Sequence, residues 1–129
     1  MRICVDLTPL LLRSAGVKSY LYYWFHALRT AASEHHINGF LGVEPSAPLS
    51  HDGSMLPALS TWARLGLVHG IGIAGSTALD VALGKADLFH ASSMTRTAPT
   101  RARLTATIHD VTTVTMPELH TEGNIDRKS

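Results

Sequence analysis

The sequence predicts an α/β fold, a Rossmann-like parallel sheet with flanking helices. Three observations lead there. Short β-rich runs such as "RICVDL" and "LTATIHDV" are separated by a long amphipathic helix pattern. The first run is apolar without alternation, as in strands covered on both faces. The resulting order of strand, helix, strand, helix, helix, strand, strand suits parallel strands joined by crossovers.

Each element has its own signal. Arg2–Leu7 is a short buried strand in which Ile3, Cys4 and Val5 run together. Thr8–Gly16 is a loop, with Pro9 near its start and Gly16 at its end. A helix begins at Val17, because Val17, Tyr20, Leu21, Trp24, Phe25 and Leu28 fall on one continuous face. Lys18, Ser19, His26 and Arg29 are read as lying mostly off that stripe. The pattern fades near Ser33–His36. Ile37–Val43 reads as a second strand, broken by Asn38-Gly39. Glu44–Pro57 holds three prolines, three serines and a glycine and reads as a loop. Ala58–Leu67 is a short helix. Ser76–Lys85 is another, with Ser76 as its cap and Gly84 as its stop. A strand follows Asp87, "PTRAR" is a turn, and Leu104–Val111 is a last, buried strand. The chain then stops at Ser129 where a covering helix should begin. The expectation is a domain incomplete at its C-terminal end.

Composition narrows the function classes. A chain of 129 residues fits one domain. Hydrophobic residues at 45% against 16% charged exclude a disordered chain. Eleven Lys and Arg stand against ten Asp and Glu, so the net charge is +1 and no basic footprint for nucleic acid exists. The single cysteine, Cys4, excludes a disulfide within the chain and suits a reduced, cytoplasmic setting. Asp6 and Pro9 interrupt the first apolar run, against a signal peptide, and no stretch is long enough to span a bilayer. His35, His36, His51, His69 and His120 show no metal-binding spacing, so no metal is expected.

One glycine pattern raises an alternative. Gly70, Gly72 and Gly75 have the G-x-G-x-x-G spacing of a dinucleotide-binding turn. Such a turn needs a preceding strand, here "RLGLVH", and an acidic residue about 20 positions on for the ribose. The next strand begins by Asp87, twelve residues after Gly75, and ends in His90-Ala91-Ser92 with no carboxylate. A small-residue helix entry explains the glycines better. A small NAD(P)-binding oxidoreductase domain stands as the alternative.

A stronger anion-binding candidate is Gly16. A glycine at the helix entry lets a ligand approach the backbone, where the amides of Val17, Lys18 and Ser19 and the helix dipole favour a phosphate. An ordinary glycine helix entry accounts for the same residue. A second cluster lies in "ATIHDV", where His109 and Asp110 end a strand at the same carboxyl edge, with His90 at the end of its neighbour. Two histidines and a carboxylate can orient a substrate or handle protons. A lone histidine is more often a hydrogen-bonded structural group. Asp6 reads as a cap for the loop before Thr8. The aromatic run from Tyr20 to Phe25 is explained by core packing rather than by a membrane face.

The ordered set Gly16-Val17-Lys18-Ser19-Tyr20, Asp87-Leu88-Phe89-His90, Thr107-Ile108-His109-Asp110 and Pro117-Glu118 resembles the N-terminal domain of GT4-type, GT-B-fold glycosyltransferases. The resemblance covers most of the chain and is weakest from Glu44 to Gly84. It implies a retaining transfer of a sugar from a nucleotide-sugar donor to a glycan or lipid-linked acceptor. Gly16, Val17 and Lys18 would meet the donor diphosphate. His109 and His90 would face the reacting sugar, with Asp110 binding substrate. No metal or cofactor is implied, and a peripheral membrane contact of a full-length enzyme fits the resemblance. The family's C-terminal nucleotide-binding domain, with its E-x7-E motif, is absent here, so the isolated chain is expected to be inactive. A non-catalytic remnant or binding module is the remaining alternative.

Overall fold

The computed structural model describes residues 1–92 and 94–108. Four short strands form one parallel sheet: β1 (Arg2–Val5), β2 (His36–Gly39), β3 (Leu88–Ala91) and β4 (Arg103–Ala106), in the order β2-β1-β3-β4. The helices are α1 (Gly16–Ala31), α2 (Ala58–Ala74) and α3 (Ser76–Leu83). The predicted α/β architecture and element order are therefore present.

The two central strands, β1 and β3, have side chains packed on both faces because helices lie on both. Ile3, Val5 and Ile37 pack with Leu21 and Phe25 of α1, and with Leu10 and Leu11 of a short 3-10 turn, Thr8–Leu11. Phe89 of β3 packs on the other face with Val68 of α2, Leu79 and Leu83 of α3, and Phe40. The Phe40 and Phe89 rings lie 5.3 Å apart. Cys4 points to this second cluster. Burial, with the Asp6 charge behind it, pushes its thiol up to about 12.

Several boundaries differ from expectation. Asp6 and Leu7 fall beyond β1, and the loop after them is partly the buried 3-10 turn. Asn38-Gly39 does not break β2; it ends it, and residues 40–42 form a second 3-10 turn. A Cβ on Gly39 would stand 1.6 Å from the Val43 carbonyl oxygen, which explains the glycine. Helix α2 runs to Ala74, past the expected end at Leu67, and absorbs Gly70 and Gly72. Its sequence has helical spacing throughout, which outweighs two glycines at about 1 kcal/mol each. The expected strand "RLGLVH" is helix, so the strand-turn-helix geometry of a dinucleotide fingerprint is missing. Gly75, at φ +85°, is the hinge between α2 and α3, and Ser76 is the first residue of α3 rather than its cap. Gly84 stops α3 as expected, at φ +59°.

β4 is exposed along its length and is an edge strand among the described residues, whereas the sequence suggested burial. Its Thr and Ile content speaks for a strand, not for what covers it. The expectations for His109, Asp110, Val111 and Pro117-Glu118, and for the C-terminal loop, lie outside the described residues.

Asp80 joins α3 to the approach to β4. Its Oδ1 accepts the Thr100 amide at 3.0 Å and the Arg101 amide at 3.3 Å, and its Oδ2 accepts the Thr100 hydroxyl. The Thr100 hydroxyl does most to hold this carboxyl below its ordinary 3.8; burial opposes, and the two amides and the Arg101 charge add to the lowering. A folded carboxyl more acidic than the unfolded one stabilises above the unfolded value, and that stability is lost as pH falls through the folded value. Melting temperature should therefore drop as the pH is taken below about 4. Asp80→Asn should melt lower at pH 7 and show a shallower acid limb; parallel acid limbs would refute the assignment.

Candidate functional site at the carboxyl edge of the sheet

The chain leaves β1 toward β2 on one side, then returns to place β3 on the other. The carboxyl ends of β1 and β3 thus flank a topological switch point, the place where open α/β sheets bind ligands.

Asp6 sits at that point and is fully buried. Its amide donates to the His90 carbonyl at 2.8 Å, carrying the β1–β3 pairing one residue further. Oδ1 accepts the Thr8 amide at 3.0 Å and the Thr8 hydroxyl at 2.6 Å. Oδ2 accepts the Ser92 hydroxyl at 2.5 Å and the Thr95 hydroxyl. The local cap expected from sequence is present. The cross-links to Ser92 and Thr95 were not foreseen, because nothing in the order of residues says that β3 lies beside β1.

The glycine entrance lies on the same edge. Helix α1 begins at Gly16 with no side-chain cap. The amides of Gly16, Val17 and Lys18 precede the first helical bond, which runs from Ser19 to the Ala15 carbonyl at 3.0 Å. The Ser19 amide is therefore taken, contrary to expectation. Gly16 is exposed, has no positive φ, and a Cβ there would meet nothing within 4 Å. The fold itself makes no demand for glycine at this position.

Lys18 departs furthest from its predicted place. Its side chain is fully buried, and its ammonium donates to the Leu12 carbonyl at 3.0 Å and to the Gly53 carbonyl. Burial pushes its pKa below the ordinary 10.5, and the Asp52 charge partly offsets that. The spacing was there to be read: Lys18 stands three and seven residues before Leu21 and Phe25, the two buried apolar residues of α1. Only its amide remains for an anion. His51 adds a contact from its Nδ1 to the Ser14 carbonyl at 3.3 Å, and the Met55 amide reaches the Leu10 carbonyl at 3.2 Å. Residues 51–55 thereby brace the loop that leads into α1.

His90 lies within β3, buried on the α1 face with its ring 4.6 Å from that of Trp24. Nδ1 is 3.0 Å from the Thr105 hydroxyl and Nε2 is 3.2 Å from the Thr107 hydroxyl. The Thr107 hydroxyl is also 3.3 Å from that of Tyr20. Thr107 therefore links His90 to the residue one turn into α1 from Gly16. Which imidazole nitrogen carries the proton follows from the orientation of the two threonine hydroxyls.

A groove of about 520 Å³ lies elsewhere, lined by Arg2, Cys4, His36, Asn38, Leu83 and Lys85. It opens beside α3 over β1 and β2, away from the switch point, and brings none of the predicted residues together. Among the described residues no three His, Cys, Asp or Glu side chains gather to hold a metal ion. None of the described helices is long and apolar enough to cross a membrane. Compared with protein-family models, with curated proteins and with solved structures, the chain finds no match in any of the three.

The arrangement makes Asp6 the joint of the edge. Asp6→Ala should cost about 2–4 kcal/mol in urea unfolding, since buried donors lose a charged acceptor. Asp6→Asn, which keeps one acceptor oxygen, should cost less. A loss below about 1 kcal/mol for Asp6→Ala would mean that the two loops hold without the carboxylate.

Proposed function

We propose that this chain is the acceptor-side, N-terminal part of a retaining GT4-type glycosyltransferase, moving a sugar from a nucleotide-sugar donor to a glycan or lipid-linked acceptor. The observation that carries the proposal is the Gly16 entrance. A glycine that neither backbone conformation nor packing requires, at a helix start whose first amides are uncapped, is explained by the close approach of an anion. The resemblance carried by the ordered motifs from Gly16-Val17-Lys18-Ser19-Tyr20 to Thr107-Ile108-His109-Asp110 supports reading that anion as a donor diphosphate.

On this reading Gly16, Val17 and Lys18 contribute backbone amides, which would steady a leaving diphosphate without a metal. His90 and His109 face the reacting sugar, and Asp110 binds substrate. For His90 the link through Thr107 to Tyr20 supports a place beside the glycine entrance. The nucleotide pocket would belong to a second domain, the chain alone would be inactive, and the enzyme would be cytoplasmic. A membrane contact would come only with a lipid-linked acceptor.

The test is amide NMR on the chain with inorganic pyrophosphate, then with NAD. Pyrophosphate should shift Gly16, Val17 and Lys18, and Gly16→Asp should weaken that binding at least about tenfold by placing a like charge at the helix start. NAD should leave Gly70–Gly75 unmoved. Pyrophosphate that shifts nothing near Gly16 would overturn the donor-site reading and favour a non-catalytic binding module. Sugar transfer by the chain alone would overturn its expected inactivity.

A further inference from the structure

Helix α2 is apolar on both sides. Its inner side holds Val68 and Ile71 against the Phe40 and Phe89 cluster, and Thr61 against Ser54. Its outer side carries Leu59 (84% exposed), Trp62 (73%), Leu67 (54%) and Ile73 (76%). Between them on the same face stand Ala63, Gly66 and Gly70, at helical spacing from Leu59. The charged residue of this helix, Arg64, turns inward, with Nε on the Leu41 carbonyl at 3.1 Å and Nη1 on the Ser60 carbonyl at 3.3 Å. His69, also exposed, flanks Trp62 on this side, and the outer face otherwise holds no ionisable group over four turns. A contiguous apolar face on the side away from the core marks an interaction site.

We infer that this face binds a second copy of the same chain, α2 against α2, antiparallel about a two-fold axis at Gly66. The pattern is self-complementary about that residue. With Gly66 opposite its own copy, Trp62 of one copy falls over Gly70 of the other, and Leu59 falls over Ile73. Large side chains meet glycine where the backbones come closest. A Cβ on Gly66 or Gly70 would meet nothing within 4 Å inside the monomer, so the fold does not call for either glycine; a helix packed at close range does.

Charge and area agree. Two such faces bring no like charges together. The four large residues offer on the order of 600 Å² per copy, so two copies would bury at most about 1,200 Å², the lower bound of a standard specific interface. Trp62 is the anchor, in keeping with the tryptophans that dominate such interfaces.

Sedimentation of the 129-residue chain from about 1 to about 100 μM is the test. The mass should rise from 13.9 kDa toward twice that value with concentration. Trp62→Glu and Gly66→Gln should each weaken the dimer by roughly 30-fold or more, the effect of losing a hot spot. Gly66→Gln has the higher helix propensity and has space in the monomer, so it decides the matter should Trp62→Glu not fold by far-UV circular dichroism. Three results would overturn the inference: a wild-type chain at 13.9 kDa throughout, self-association that neither substitution moves, or a monomer that instead floats with phosphatidylglycerol vesicles.

Discussion

The carboxylate of Asp6 is the interaction on which the carboxyl edge of this sheet depends. At a switch point the chain departs from adjacent parallel strands in opposite directions, and no backbone ladder holds the departing segments together. A buried carboxylate with four donors does so. It joins Thr8, just beyond β1, to Ser92 and Thr95, just beyond β3. An unpaired carboxylate in this place would be expensive; a saturated one is stable and also fixes the geometry. Asp80 and Lys18 repeat the device elsewhere. One ties α3 to residues 100–101, and the other ties the segment before α1 to Gly53. With strands of four residues each, the sheet has few ladder bonds, and buried charge sets the loops.

What the sequence shows follows from how locally each feature is encoded. The stripe from Val17 to Leu28 is periodic over three turns, and α1 sits where that period places it. Gly84 ends α3 because a helix stop is a property of one residue and its neighbours. The α2 boundary was less legible, since glycines at 66, 70 and 72 resemble punctuation when read singly and lie within one apolar period when read together. Lys18 was misplaced for a related reason: its residue type suggests solvent, while its spacing suggests core. The burial of β4 was beyond reach, because burial depends on what lies alongside. The partners of Asp6 and His90 were equally invisible. Residues 86 and 17 positions apart meet only through strand order.

The glycines show how the structure sharpens such signals. At Gly39 a Cβ would collide with the Val43 carbonyl, and Gly75 and Gly84 have positive φ. The fold accounts for all three. Gly16, Gly66 and Gly70, like Gly53 and Gly72, have neither a positive φ nor a neighbour that a Cβ would touch. Glycine carries an entropic cost in a helix, so its use at positions the monomer does not constrain points to something outside the monomer. Under the proposed function Gly16 would meet an anion over uncapped amides. Under the inferred dimer Gly66 and Gly70 would meet another helix.

His90 brings these threads to the chemistry. Both of its ring nitrogens are engaged by hydroxyls, and Trp24 lies against its ring. A histidine held in that way is oriented before any substrate arrives, and it can handle a proton only where one hydroxyl gives way. Thr105 is in the β4 ladder and is held by the backbone. Thr107 follows β4, outside the ladder, and its hydroxyl already stands between His90 and Tyr20. A ligand hydroxyl arriving beside the Gly16 entrance could take the place of the Thr107 hydroxyl without disturbing the sheet. Under the transferase reading this makes Thr107 the gate through which an acceptor meets the imidazole. Under that reading a histidine in the middle of a strand, rather than at its tip, would belong to the site.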